Sequence, residues 1–416
     1  MLSREENELL TRVGPGTPMG ELMRRYWMPA LLSEEVAEPD GDPVRIRLLG
    51  EDFVAFRDTS GRLGLLADAC AHRCASLSYG RNEEGGLRCL YHGWKYDVQG
   101  HVLETPNEPE QSQLRHKVQQ RSLPLVEASG VVWTYLADPA TAPAFPTPAW
   151  AQAPETHRAV ARMKLAANYL QVVEGGLDTT HVGILHQTAM ASLPEHPVHK
   201  TPDLAMLKGD TTPRLETQLT SSGFQYAAIR RVDDDTRYIR LTSYVMPWYT
   251  TVPHFDSVPQ QTQGYVPIDD ENTWFWLWWV HDRPIDAVML KAFQGADPRT
   301  GEFEMPGTRE NHHLQDRASM RNGSWTGLRG IMAEDSAMTE SMGPVVDRSK
   351  EHLGMSDAAV IRLRRLLLDT LRDVERGKEP PGVHAGLPIG RPYSVAQTCG
   401  SNERWQDYGL MAEFLD

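Results

Sequence analysis

The sequence predicts an α+β protein of two domains. Residues 1–150 read as two short helices and an antiparallel β domain, and residues 151–416 as an α+β domain with a central antiparallel sheet and a C-terminal helix. Three observations carry this. Short alternating segments separated by Gly, Asp and Ser turns run from about Asp42 to Asp138. A Pro- and Ala-rich stretch, "PATAPAFPTPAW", follows and reads as a linker. Beyond it, aromatic and β-branched runs give way to "SDAAVIRLRRLLLDTLRDVERG", which is apolar at a period of 3.6.

Taken in order, Ser3 and Glu6 form an S-x-x-E capping box, and Thr17-Pro18 opens a second helix in "TPMGELMRRYW". "PVRIRLLG", "EDFVAFRD", "RLGLLAD" and "GVVWTYLAD" are strands of the first domain. In the second, residues 164–187 read as helical, and "FQYAAIRRV", "TRYIRLTSYVMPWY" and "TWFWLWWVHD" as strands. No internal repeat or low-complexity segment interrupts them.

Composition excludes several classes. With 416 residues, 40% hydrophobic and 24% charged, the chain is long enough for two cores and is neither disordered nor fibrous in character. A net charge of −14 makes nucleic acid and anionic membrane poor partners. No apolar run approaches the ~18–20 residues of a membrane span, and the charged start "MLSREENELL" is unlike a signal peptide. A cytoplasmic protein is expected. Four cysteines in a chain of this size are no disulfide framework, which fits a reducing compartment.

The chemistry begins with "CAHRCASLSYGRNEEGGLRCLYHGW", Cys70 to Trp94, which holds three of the four cysteines and two histidines. Cys70 and His72 lie on one tight loop, Cys89 and His92 on another. One thiolate and one imidazole per loop is the ligand set of a Rieske [2Fe-2S] centre. A tetrahedral zinc clip can use the same four side chains, but zinc loops usually pair like with like, so the mixed loops favour the cluster. Cys74 and Cys399 read as small hydrophobes without a metal role.

A second constellation, "NYLQVVEGGLDTTHVGILH", gathers Glu174, Asp178, His181 and His186. Two histidines with a distant carboxylate make the 2-His-1-carboxylate set of non-haem Fe(II) oxygenases. On an ideal helix, residues five apart diverge by about 140°, so the helix must break between His181 and His186, with Gly183 the expected place. Asp178 and His181, three apart, share a face. Taken alone such a pair is more often structural than metal-binding; the upstream cluster motif raises it.

With both motifs in view, the chain resembles the terminal oxygenase (α subunit) of Rieske non-haem iron aromatic-ring oxygenases, within the phthalate dioxygenase group. The likeness covers nearly the whole length, through "ENELLTRVGPGTPMGELMRRYWMPAL", "CAHRCASL", "LRCLYHGWKYD", "VEGGLDTTHVGILH" and "EDSAMTESMGPVVDRSKEHLG". It implies a Rieske domain followed by a catalytic mononuclear iron domain. By position, Cys70, His72, Cys89 and His92 bind the cluster. His181, His186 and a late carboxylate, Asp335 after Glu334, bind the iron. Asp178 matches a bridging carboxylate that hydrogen-bonds a cluster histidine of the neighbouring subunit, and Asn168 an asparagine near the iron. Ala71 stands where proline is common, Cys74 where glycine is common, and Tyr169 where tryptophan is. The resemblance further implies a cyclic trimer or a pair of stacked trimers, because the two metals meet across a subunit interface.

Electrons must come from elsewhere. "GPGTPMG" is the nearest approach to a dinucleotide fingerprint, but its third glycine is misplaced and it opens a helix without a preceding strand. A separate reductase is therefore expected, by resemblance one carrying flavin, a plant-type [2Fe-2S] centre and an NADH site. The strands of the second domain supply aromatic walls for a planar substrate, although Trp274, Trp276 and Trp278 read mainly as core. An aromatic carboxylate would want an arginine fork, for which Arg240 is the first candidate, with Arg230 and Arg214 behind it. Three functions follow: insertion of O2-derived oxygen into an aromatic acid such as a phthalate or substituted benzoate, O-demethylation or ether cleavage of a methoxy- or phenoxy-aromatic acid with the same metals, or Rieske-type electron transfer without oxygen chemistry.

Overall fold

The structure, a computed structural model, describes residues 2–147, 149–192, 202–253, 260–287, 302–303, 305–384 and 393–408. It divides into two compact units, residues 13–145 and residues 1–12 with 146–416. The first helix, α1 (Arg4–Thr11), belongs to the larger unit, whereas the sequence grouped it with the cluster domain. Its capping box is present as expected, Ser3 Oγ accepting the Glu6 N–H and Glu6 accepting the Ser3 N–H.

The smaller unit opens with α2 (Pro18–Met23), capped by Thr17, and is otherwise antiparallel β. The strands β1 (Met28–Leu32), β9 (Leu125–Ala128) and β10 (Val131–Thr134) form one sheet in the order β1-β10-β9. A meander, β2 (Val44–Leu48), β3 (Glu51–Arg57) and β4 (Leu63–Ala67), forms a second. Four short strands, β5 (Arg81–Glu83), β6 (Gly86–Arg88), β7 (Lys95–Tyr96) and β8 (Val102–Glu104), form the third. Val54, Phe56, Leu66, Leu87, Trp94 and Tyr96 build its core together with the two sulfurs of Cys70 and Cys89. The loop after β4 and the loop between β6 and β7 carry the Cys/His motifs.

The larger unit is built on β11 (Arg158–Leu165), β12 (Arg214–Thr220), β13 (Gly223–Arg231), β14 (Thr236–Val245), β15 (Tyr249–Val252), β16 (Gln260–Pro267), β17 (Thr273–Val280), β18 (Glu302–Phe303) and β19 (Val395–Gly400). They form one sheet in the order β12-β13-β14-β15-β16-β17-β11-β18, with β19 added to β14; the β11–β18 pairing is parallel and the others are antiparallel. Between β11 and β12 run α3 (Tyr169–Leu177), α4 (Val182–Leu185), α5 (Gln187–Ser192) and α6 (Pro202–Gly209). Then come α7 (Arg317–Arg321), α8 (Ile331–Ser341) and the amphipathic α9 (Ala358–Glu375). No helix among the described residues is long and apolar enough to cross a membrane.

Period 2 settles which side chains face α3. The register Tyr226↔Thr242, Ala228↔Arg240 and Arg230↔Tyr238 places these residues on one face, and the Tyr226 hydroxyl donates to the Leu177 carbonyl at 2.6 Å. Tyr265 and Phe275, cross-strand partners stacked at 5.2 Å, share that face. A Cβ at Gly176 would lie 1.8 Å from the Tyr265 hydroxyl, so glycine is what lets α3 rest on this tyrosine. Trp276 and Trp278 stack on the opposite face at 5.7 Å, beside Arg162, whose guanidinium sits 4.1 Å from the Trp274 ring. The aromatics that meet α3 are thus Tyr226 and Tyr265, with Phe275 stacked on the latter, while Trp276 and Trp278 are buried on the other face, as the alternation predicted.

Helix α3 is held by a buried ion network. Glu174 receives Arg348 at 2.9 Å and Arg364 at 2.7 Å, and Arg364 also pairs with Glu351 at 2.6 Å. Burial opposes ionisation of Glu174, yet the two guanidiniums outweigh it and hold the carboxyl below its usual range. Glu174 therefore fixes the helix, although the sequence had placed it beside the histidines without a role.

Candidate functional site

The two Cys/His loops share one hydrogen-bond plan. The Cys70 N–H donates to the Ala75 carbonyl and the Cys74 N–H returns to the Cys70 carbonyl, both at 2.8 Å; Cys89, Trp94 and Gly93 repeat this at 2.8 and 3.0 Å. The returning residue is left-handed in both loops, Gly93 at φ +76° and Cys74 at φ +58°. Cys74 thus occupies a position whose left-handed backbone favours glycine, which is why glycine is common there.

Both thiols are buried and both imidazoles lie half-exposed above them. The rings of His72 and His92 meet edge-on at 4.6 Å, and His72 stacks on Trp94 at 4.7 Å with planes 4° apart. Trp94 is itself held by its indole N–H, which donates to Asn107 at 2.8 Å. Burial and the neighbouring Cys70 sulfur push the Cys89 thiol up, while the N–H groups of Tyr91 and His92 act in the other direction. Burial, then His72 and Arg73, lower the pKa of His92, which favours the neutral ring a metal needs. The Tyr96 hydroxyl lies 3.0 Å from Cys70 Sγ. Either group can donate while the sulfur is a thiol; a metal-bound thiolate has no proton, and the hydroxyl is then the donor. Nothing in the motif spacing announces this contact.

In the larger unit His181, His186 and Asp335 converge, their ligand atoms all within 4.8 Å of one another. Asp335 Oδ1 lies 3.0 Å from His186 Nε2 and 3.6 Å from His181 Nε2. The rings face each other edge-on at 5.0 Å. The chain breaks differently from expectation: α3 ends at Leu177, Asp178 to Thr180 turn, and His181 and His186 bracket α4 as its N-cap and C-cap. Gly183 lies inside α4. Two breaks, before His181 and at His186, bring the histidines together.

Behind each histidine stands a carboxylate. Asp178 Oδ2 lies 3.5 Å from His181 Nδ1, and its Oδ1 accepts the N–H and the hydroxyl of Thr180 at 2.7 and 2.6 Å. Burial opposes its ionisation, but the contacts with His181 and Thr180 prevail and keep its pKa low. Glu334, buried in α8 beside Asp335, takes His186 Nδ1 at 2.7 Å on one oxygen and the Thr326 hydroxyl at 2.6 Å on the other. Burial alone would lower the His186 pKa; Asp335 and then Glu334 outweigh it and push it up to about 9. The sequence named Glu334 only as the residue before Asp335. Its signal was present, since neighbours on a helix end diverge by about 100° and can serve one metal site from two sides.

Two other candidates lie elsewhere. Asn168 is the N-cap of α3, about 15 Å of helix from Asp178. Its amide is spent on the Leu170 N–H and on the carbonyls of Thr11 and Asp270, so it braces the helix start and does not reach the triad. Arg230 donates to the carbonyls of Asp210 at 3.0 Å and Thr179 at 3.3 Å, which makes it a brace for the Asp178–His181 turn. Arg240 is buried on the α3-facing side of the sheet, and Arg214 pairs with Glu216 at the exposed end of β12.

A model of the Rieske [2Fe-2S] domain matches residues 26–124, and a model described as LigXa C-terminal domain like matches residues 134–414. The chain belongs to the Rieske-type non-haem iron oxygenases. This oxygenase is 38% identical to the phthalate 4,5-dioxygenase oxygenase subunit of Pseudomonas putida, over 98% of its own length and 95% of the relative. It is 36% identical, over 92% of each chain, to the 3-chlorobenzoate-3,4-dioxygenase oxygenase subunit of Comamonas testosteroni. In fold it is similar to dicamba monooxygenase bound to dicamba, with a TM-score of 0.59 at 17% identity over 86% of this chain and 99% of that one. The family's cofactors are a [2Fe-2S] cluster and a mononuclear iron, and the side chains fit both. Two buried sulfurs beneath two outward imidazoles suit a cluster with unlike irons. Two imidazole nitrogens and one carboxylate oxygen, with His181 and Asp335 partly open to solvent, suit an iron with free positions.

Proposed function

We propose that this oxygenase inserts O2-derived oxygen into a carboxylated aromatic compound of the phthalate or substituted benzoate class. The convergence of His181, His186 and Asp335 within 4.8 Å carries the reading. Cys70, Cys89, His72 and His92 would hold the cluster, and His181, His186 and Asp335 the iron. When bound, the iron supplies an open coordination sphere for O2 and the cluster an electron held ready for it.

The protein's own part is positioning. Asp178 and Glu334 fix the ring planes and tautomers of His181 and His186, leaving each Nε2 aimed at Asp335. Tyr226 and Tyr265, with Phe275 stacked on the latter, floor α3, the helix that leads into the Asp178–His181 turn. Arg240, buried on the same face of the sheet as Tyr226, is the candidate to meet a substrate carboxylate. Electrons come from a separate reductase with flavin, a plant-type [2Fe-2S] centre and NADH. The oxygenase works in the cytoplasm as a trimer or stacked trimers, in which Asp178 links His181 to a cluster histidine of the neighbouring copy.

The test is single turnover of the reduced, iron-loaded oxygenase with labelled O2 and a panel of phthalates, chlorobenzoates, phenoxybenzoates and methoxybenzoates. Two labelled atoms in one ring product are expected. One labelled atom with release of formaldehyde moves the protein to O-demethylation, and no product from any aromatic acid removes the proposal.

A further inference from the structure

The chain entering the first Cys/His loop is extended, so its backbone groups alternate between two edges. On one edge, Asp68 and Cys70 are satisfied within the unit: the Asp68 N–H donates to Asp52, Leu77 donates to Asp68, and Cys70 exchanges bonds with Ala75 and Cys74. On the other edge stand the carbonyls of Ala67 and Ala69 and the N–H of Ala71. One side chain meets all three. Gln120 Nε2 donates to Ala67 at 2.6 Å and to Ala69 at 2.9 Å, and Gln120 Oε1 accepts the Ala71 N–H at 2.8 Å. Two acceptors and one donor fix the orientation of the amide, and every hydrogen it owns is used. Gln120 is 2% exposed, and its own N–H is tied to the Gly100 carbonyl at 2.8 Å.

We infer that Gln120 is a positioning residue of the cluster: its amide replaces a missing strand along residues 67–71 and fixes Cys70, and through Ala71 the backbone of His72, in the geometry that holds the cluster. The bond to Ala71 depends on a feature of this chain, because a proline there would have no N–H to give. Without Gln120, two carbonyls and one N–H at the partly exposed edge of the loop lose their shared partner together, beside a ligand sulfur, and the loop gains freedom where the cluster needs rigidity.

The inference rests on the reading that Cys70 and His72 hold the cluster. Two irons and two sulfides per wild-type chain, beyond the mononuclear iron, support that reading, and their absence overturns it independently of Gln120. The experiment compares wild type with Gln120→Met, which keeps the length and loses all three bonds, and Gln120→Glu, which keeps only the acceptor for Ala71. Each full chain is loaded with its metals; bleaching of the cluster by a chelator, the EPR spectrum of the reduced cluster and far-UV circular dichroism are recorded. Gln120→Met is expected to bleach about tenfold faster, with shifted EPR features and an unchanged far-UV spectrum, and Gln120→Glu to fall between it and wild type. Wild-type bleaching and EPR in Gln120→Met overturn the inference. If Gln120→Met does not fold, Ala71→Pro, which removes one bond and keeps the side chain, is measured in its place, and a wild-type spectrum and bleaching rate there overturn it equally.

Discussion

The two candidate centres are built in opposite ways. The four cluster side chains come from one stretch, residues 70 to 92, on two loops with the same hydrogen-bond plan and the same left-handed residue at the same step. The triad has no such local frame. His186 and Glu334, 148 residues apart, meet only because α4 and the first turn of α8 are carried together over one sheet. A centre made by turns tolerates change in the surrounding helices, while a centre made by docking inherits every error in how those helices pack.

The largest test of this difference is Asp335→Ala. Mononuclear iron and turnover are expected to fall below detection while the visible and EPR spectra of the cluster remain those of wild type; loss of both centres together would erase the distinction. Glu334→Gln keeps the size of the side chain and removes the charge behind His186. Iron affinity is expected to drop 10–100-fold, measured by competition with a calibrated chelator, and an unchanged affinity would leave Glu334 a packing residue.

Acidity sharpens the same contrast. In the metal-free triad His186 is held protonated up to a pH of about 9 by Asp335 and Glu334, so iron must displace one proton to bind. The sign follows: as pH falls from 9 the proton competes better, and apparent iron affinity should weaken by about tenfold per pH unit until another group titrates. Titration of iron uptake between pH 6 and 9 checks this, and a flat profile contradicts it.

Smaller effects belong to the cluster. Tyr96→Phe removes the hydroxyl 3.0 Å from Cys70. Its hydrogen bond stabilises the reduced, more negative cluster, so the midpoint potential should fall by about 20–60 mV, the one-electron equivalent of a net bond of roughly 0.5–1.5 kcal/mol. Spectroelectrochemistry reads the shift, and iron occupancy of the triad should not move. Cys74→Gly should have the smallest effect: it relieves a left-handed L-residue and is expected to stabilise the smaller unit by about 1 kcal/mol in denaturant unfolding, with an unaltered cluster spectrum. Destabilisation would mean that the Cys74 side chain contributes something its loop position does not require.

What could be read in advance divides along the same line. Period 2 in "TWFWLWWV" put the tryptophans in the core, and the Ser3 capping box formed as written, because both depend only on near neighbours. Asn168 misled because a position in a motif carries no distance: the helix it caps takes it away from His181, which it precedes by only thirteen residues. Gly183 misled in another way, since the helix breaks where Asp178 can bond Thr180 and where His186 closes α4.

By itself the sequence determined the alternating strands, the capping box and the two Cys/His loops, because turn chemistry, caps and alternation are local; the helix it read over residues 164–187 is instead the end of β11 followed by α3 and α4. Only the tertiary structure decided which carboxylate stands behind which histidine, that the Tyr96 hydroxyl meets the Cys70 sulfur, and that Gln120 completes the edge beside Cys70. Those contacts join groups far apart along the chain, and a buried donor or acceptor is satisfied by whatever the packing brings within 3 Å of it.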